Sequence, residues 1–147
     1  MSSITLRFLA EPSTVNFGGK VHGGTVMKWI DEAGYACATR WAKQYCVTVS
    51  VGTVRFQRPI KIGDLVEVEA RLAYTGKTSM NISVEVRAGD IKTGELQVIT
   101  ECLVVFVAID ADGMPLPVQT WRPETPGDVA LAQHVKNHLD AARPTQL

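Results

Sequence analysis

A chain of 147 residues that is 46% hydrophobic and 20% charged has the size and balance of one ordinary domain able to bury a core. Fifteen Lys and Arg against fifteen Asp and Glu give a formal net charge of zero. That excludes a global attraction to nucleic acid or to an anionic membrane, so any anion must be recognised locally.

The opening residues MSSITLRFLAEPS hold one arginine and a short apolar run, too little for a secretory h-region or a membrane span. Cys37, Cys46 and Cys102 show no CxxC spacing and no even-numbered framework. They read as reduced structural thiols, and the chain is expected in the cytoplasm. Ile4 to Leu9 alternates as a short strand and is followed by a loop through Asn16 to His22, with Gly18, Gly19, Gly23 and Gly24 in it or just after it. From Thr25 to Trp41 the spacing of Val26, Ile30, Ala33, Cys37 and Trp41 predicts a helix. Met27, Trp29, Tyr35 and several alanines widen its apolar stripe, so the helix is expected to be mostly surrounded by protein.

Four strand-like runs follow with no room for crossover helices, which predicts an antiparallel sheet. Cys46 to Arg58 places Val47, Val49 and Val51 on one parity and Val54 and Phe56 on the other, and the switch suggests a bulge at Gly52 and Thr53. After a turn at Lys61–Asp64, Leu65 to Tyr74 and Thr78 to Ala88 each alternate apolar with polar residues, and Gly76-Lys77 joins them as a hairpin. Glu95 to Ile109 is apolar on both parities and is expected to be covered on both faces. A proline-rich stretch leads to a tail helix with Asp128 as N-cap and Leu131, Val135 and Leu139 on one face. The order amounts to a single helix cradled by a curved sheet.

Chemistry concentrates between Asn16 and Gly34. Gly23 and Gly24 would let backbone N–H groups approach a ligand at the helix start, where free donors and the helix dipole favour a developing negative charge. Asp31 falls about two turns into the helix on the flank of the apolar stripe, partly desolvated and suited to general-base work. From pattern alone, Asp31 beside Glu32 also fits a solvated face, Asn16 a turn cap, and His22 a loop residue satisfied by backbone. No metal site and no GxSxG elbow is read, since His134 and His138 fall in the polar tail helix.

The run Asn16 to Gly24 continuing into TVMKWIDEAGYACATR resembles the active-site loop and central helix of hotdog-fold acyl-CoA thioesterases, of the bacterial and brain acyl-CoA hydrolase type. Val49-Ser50-Val51, then Val54 to Ile60 with Gly63-Asp64, is similar to the family's second strand and proline turn, and Gly76 to Met80 to its Gly-x-Thr-Ser hairpin. The resemblance covers residues 5 to 118. It implies an α+β hotdog fold, with a curved antiparallel sheet around one long central helix over residues 1–123 and a C-terminal helical extension over 124–147. It also implies hydrolysis of acyl-CoA in fatty acid metabolism. Asp31 would activate water or attack the thioester, and Asn16 of a neighbouring subunit would orient the carbonyl or the water. Gly23 and Gly24 would hold the oxyanion with His22 beside them, and Arg58, Gly76, Lys77, Thr78 and Ser79 would meet the CoA. No cofactor beyond the substrate's CoA, no metal, no nucleic acid and no membrane is implied. The partner is further copies of the chain, a dimer at least and a trimer of dimers by resemblance. Two rival readings remain: a non-catalytic acyl-CoA-binding module, and a hotdog dehydratase or hydratase working through His22.

Overall fold

The alternating N-terminal run forms β1 (Ser3–Leu9), the first strand of a computed structural model that describes residues 2–142. The last five residues of the expected C-terminal extension lie outside the described residues. A 3-10 turn at Pro12–Thr14, within the expected loop, precedes α1 (Gly23–Ala42). This helix starts two residues before the predicted Thr25, because glycines with free N–H groups are tolerated in a first turn. It stops where Lys43 turns left-handed (φ 55°) and returns its N–H to the Thr39 carbonyl at 2.7 Å.

β2 (Cys46–Val51), β3 (Leu65–Thr75), β4 (Ser79–Gly89) and β5 (Gln97–Ala108) complete an antiparallel sheet in the order β1-β3-β4-β5-β2. Val66, Val68, Ala70 and Leu72 of β3 share one face with Met80, Ile82, Val84 and Val86 of β4 and with Val104 and Phe106 of β5. All are essentially without solvent contact and pack on Val26, Ile30, Ala33 and Cys37 of α1. The opposite face carries Glu67, Glu69, Glu85 and Arg87, with Arg87 reaching all three carboxylates at 3.0–3.4 Å. α2 (Pro126–Ala142) is tied to that side by an ion pair between Arg71 and Asp128 (3.0 Å), and its Val135 is buried.

Four expectations are corrected. The strand predicted over Cys46–Arg58 ends at Val51, and its irregularity falls between Thr48 and Ser50 rather than at Gly52-Thr53. Gly52 and Gln57 each donate one N–H to β5, to Leu103 and Ile99, without a continuous ladder. β5 is sealed on the helix side only, and Leu103, Val105 and Val107 on the other side are half-buried. α1 is likewise covered on one side. Met27 (44% exposed) and Tyr35 (39%) face outward with Lys28, Glu32 and Arg40, because in one protomer the sheet wraps a single face. The tail helix is capped by Thr125, not Asp128. Thr125 Oγ1 accepts the Asp128 N–H at 3.0 Å while Asp128 Oδ2 accepts the N–H groups of Glu124 and Thr125 at 3.4 Å. That is a reciprocal capping box with Pro126 in the first turn.

Candidate active site

Asp31 projects from the middle of α1, between the buried Ile30 and Ala33, and is half-buried. Thr48 Oγ1–H donates to Asp31 Oδ1 at 2.7 Å, which fixes the carboxylate on the helix side of β2. The second oxygen, Oδ2, meets no donor among the described residues. Thr48 stands opposite Phe106 in the β2–β5 pairing, immediately before the bulge at Val49. The bulge resets the parity, so that Thr48 and Val51 share the face that an unbroken strand would give to Thr48 and Ser50. Glu32 points to solvent and pairs with Lys28 at 3.9 Å, which separates the two neighbouring acids into a half-buried one and an exposed one.

At the helix start, His22 is the N-cap residue, with an exposed imidazole that makes no capping bond. Its carbonyl takes the N–H groups of Thr25 (3.0 Å) and Val26 (3.2 Å), and its own N–H goes to Thr14. The N–H groups of Gly23 and Gly24 find no acceptor among the described residues. A side chain at Gly24 would meet open space, whereas one at Gly23 would press on the Phe56 ring at 3.2 Å. Gly23 and Asp31 are eight positions apart, about 12 Å along the axis. His22 and Asp31 therefore make no His-acid pair within the chain.

Asn16 holds a tight loop. Its Oδ1 accepts the N–H groups of Gly18 (2.8 Å) and Lys20 (3.2 Å), and its carbonyl accepts that of Gly19 (3.0 Å). With Lys20, Gly23, Phe56, Arg58 and Ile99 it lines a cavity of ≈330 Å³ that does not include Asp31. The Gly76–Ser79 hairpin, closed by the Gly76 N–H on the Ser79 carbonyl (2.9 Å), lies at the other end of the sheet. Ser79 pairs with Val107, whereas the Arg58 cavity abuts Ile99; eight strand residues make roughly 26 Å between them. One protomer thus brings together Asp31 with Thr48, and Asn16 with Gly23 and Arg58, but neither Asn16 with Asp31 nor Arg58 with Lys77, Thr78 and Ser79. A larger cavity of ≈520 Å³ lies beneath α2 on the opposite sheet face, and none of the predicted site residues lines it.

The three cysteines are free and buried. Burial pushes the Cys37 and Cys102 thiols up to about 11, and that of Cys46 upward as well, so they remain protonated at neutral pH. No described helix is long and apolar enough to cross a membrane.

The profile of the thioesterase superfamily matches residues 18–95, more than half of the chain, beginning two residues after Asn16 and running through α1 to just past the end of β4. This chain belongs to the thioesterase superfamily. Among curated relatives, the acyl-CoA thioester hydrolase YciA of Salmonella typhimurium is 38% identical over 121 residues, covering 79% of this chain and 91% of that one. A crystallised apo-hexameric acyl-CoA thioesterase superposes with a TM-score of 0.90 at 31% identity, over 95% of this chain and 90% of its own. The acyl-CoA hydrolase of Staphylococcus aureus, solved with butyryl coenzyme A and coenzyme A, gives 0.89 at 28% identity over 95% of this chain and 85% of its own. It has also been solved as three variants that replace an aspartate, an asparagine and a threonine by alanine. With these relatives the expected hotdog fold is the observed one.

Thr48 is the site residue that sequence reasoning missed. It lies among valines in a strand whose apolar parity is the dominant signal, and the alternation that puts it on the face of buried Cys46 does not show that this face meets the thioesterase's central helix. The available signal was two hydroxyls, Thr48 and Ser50, on the parity opposite Val47 and Val49, within a strand long enough to lie beside the helix acid.

Proposed function

We propose that this chain hydrolyses acyl-CoA to free CoA and a carboxylic acid, with Asp31 as the reacting group, Thr48 holding it, and Asn16 supplied by a neighbouring copy. The observation that carries the reading is the bond from Thr48 to Asp31 Oδ1, which leaves Oδ2 free beside half-buried apolar surface. Two routes follow. In one, Oδ2 takes a proton from water as the water oxygen attacks the thioester carbonyl. In the other, Oδ2 attacks that carbon itself, and water then cleaves the resulting anhydride. In both, the tetrahedral adduct collapses with loss of the CoA thiolate, a good leaving group that needs little acid help. The N–H groups of Gly23 and Gly24 in the neighbouring copy that supplies Asn16 are suited to the carbonyl oxygen as it gains charge.

Spacing supports the three-residue set. In the Staphylococcus aureus hydrolase the substituted asparagine precedes the substituted aspartate by 15 positions and the threonine follows it by 17. Asn16, Asp31 and Thr48 stand at those intervals here. Two observations support sharing between copies: Asn16 and Asp31 do not meet within one protomer, and β2 ends the sheet with an open edge. A dimer joined there, three dimers to a hexamer, would place Arg58 of one copy and the Lys77-Thr78-Ser79 hairpin of another against one CoA. The reaction as written uses no cofactor, and a cytoplasmic enzyme with three unpaired thiols is the setting we assign.

The test is thiol release from a panel of acyl-CoA esters. Asp31→Asn should lose roughly a hundredfold or more in kcat. Asn16→Ala and Thr48→Ala should lose less, at unchanged assembly. A single turnover in ¹⁸O-water probes the routes, because label enters Asp31 only when an anhydride forms and water attacks its aspartyl carbon. An inert wild-type protein would sink the activity, and a fully active Asp31→Asn the mechanism.

A further inference from the structure

We infer that Phe17 is a positioning residue, the knob that seats the Asn16 loop of one copy against the Asp31 of another; this rests on the shared-site reading above. Phe17 is 113% exposed, so its ring touches nothing in its own chain. Single exposed apolar residues are ordinary on protein surfaces, but this one is not on a loose loop. The Asn16 side chain holds Gly18 and Lys20, the Asn16 N–H donates to the Lys20 carbonyl at 2.7 Å, and Val15 bridges Val21 while Lys20 bridges Lys61. Gly19 at φ 75° completes the turn. The backbone that carries the phenyl ring is therefore held in place one residue from the asparagine, so that only the ring's own torsions are left to order on contact.

The same chain displays a surface of matching kind. Met27, Asp31 and Tyr35 follow one another at four-residue intervals on α1, so the two exposed apolar side chains flank the carboxylate along one stripe. Val51, 40% exposed, adds to it from β2 on the side of Thr48. A loop that brings Asn16 to this carboxylate brings Phe17 to this stripe. The ring then leaves water against Met27 and Tyr35 and fixes the distance at which the Asn16 amide group stands from the reacting carbonyl.

The experiment compares Phe17→Ala, Phe17→Leu, Asn16→Ala and the double variant Asn16→Ala/Phe17→Ala in steady-state hydrolysis of an acyl-CoA that the wild type cleaves, with light scattering and melting on each. Phe17→Ala should lower kcat roughly ten- to a hundredfold, the equivalent of a lost buried ring, with KM changed far less and melting and assembly unchanged. Phe17→Leu should recover most of kcat. The double variant should be no slower than the slower single one, because Phe17 acts through Asn16. Wild-type kcat in Phe17→Ala, additive losses in the double variant, or break-up of the assembly would each overturn the inference and leave the thioesterase reading standing. An inert wild type would overturn both.

Discussion

Replacing Gly34 by alanine sets two opposed effects against each other at the point where α1 rests on the sheet. In a helix interior the exchange is normally favourable, by about 0.5–1 kcal/mol, since alanine restricts the unfolded chain. Here the new methyl would lie 2.8 Å from Phe106 Cε2 and 3.2 Å from Cζ. Ordinary contact begins near 3.4 Å, so helix and ring must part by about 0.6 Å. Phe106 is fully buried, with the Tyr35 ring at 6.4 Å, and has no free volume into which to swing. Overpacking of this kind costs about 1–3 kcal/mol, so the net effect is a loss of about 1 kcal/mol. The strain also reaches the site. Thr48 pairs with Phe106, and Asp31 stands one turn before Gly34, so lifting α1 off Phe106 draws Asp31 away from Thr48 and toward the limit of hydrogen bonding. Gly34→Ala should thus lower the urea midpoint at constant m-value, measured at fixed protein concentration, and lower kcat with it. A variant as stable as wild type, or more so, would refute the reasoning, because the core would then have yielded and left the helix-propensity gain in view.

Three other substitutions probe separate parts of the fold. Thr100 Oγ1 is buried on β5 with no partner among the described residues, so Thr100→Val, which keeps the shape and removes the hydroxyl, should raise stability by about 1 kcal/mol in urea unfolding. Bonds from Arg87 and then Arg7 outweigh burial and hold the Glu67 carboxyl below the usual carboxylate value. A depressed folded value means that its stabilisation is present above the unfolded value, near 4.3, and lost as pH falls through the folded one. Glu67→Gln should therefore cost about 1 kcal/mol at pH 7 and flatten the loss of stability on acidification below about pH 4.5, a difference that melting curves across pH would register. Asp128→Ala removes both the Arg71 pair and half of the capping box; α2 should loosen, seen as faster amide exchange over Val129–Val135, while β3 and β4 stay protected.

What could be read from the sequence is what periodicity encodes. Leu65–Thr75 and Ser79–Gly89 alternate because one face meets α1 and the other meets water or α2, and that pattern survives without knowledge of neighbours. α1 was legible because Val26, Ile30, Ala33 and Cys37 meet one continuous sheet. Asp31 was legible as an acid beside that stripe. The features that escaped depend on a single residue's backbone. The bulge at Val49 shifts Val51 onto the face of Thr48, and neither a glycine nor a proline marks it. Thr125 was passed over as a cap because Asp128, three residues on, offers the same oxygen chemistry; the structure uses both. Arg58 and the Lys77 hairpin read as one ligand-binding group because a linear sequence gives no hint that they stand at opposite ends of the sheet.

The open edge of β2 ties these observations together and supplies the last prediction. β2 is flanked by β5 on one side only, and Val49 (59% exposed), Ser50 and Val51 are left to solvent on an edge of the kind that folded proteins usually pair or block with charge. No lysine, proline or glutamate blocks it within Cys46–Val51. The Asp31–Thr48 bond therefore lies at the margin of the protomer, where a second sheet can reach it. Val49→Lys places a charge on that edge at a position that contributes little to the protomer's own core, so each chain should still fold with native melting cooperativity. Light scattering should nevertheless show a smaller species. Activity should fall with assembly, and recover at high protein concentration, because the copy that carries Asn16 has been moved away and not altered. Unchanged mass together with unchanged kcat would mean that copies meet on another surface and that Asn16 reaches Asp31 by a different route.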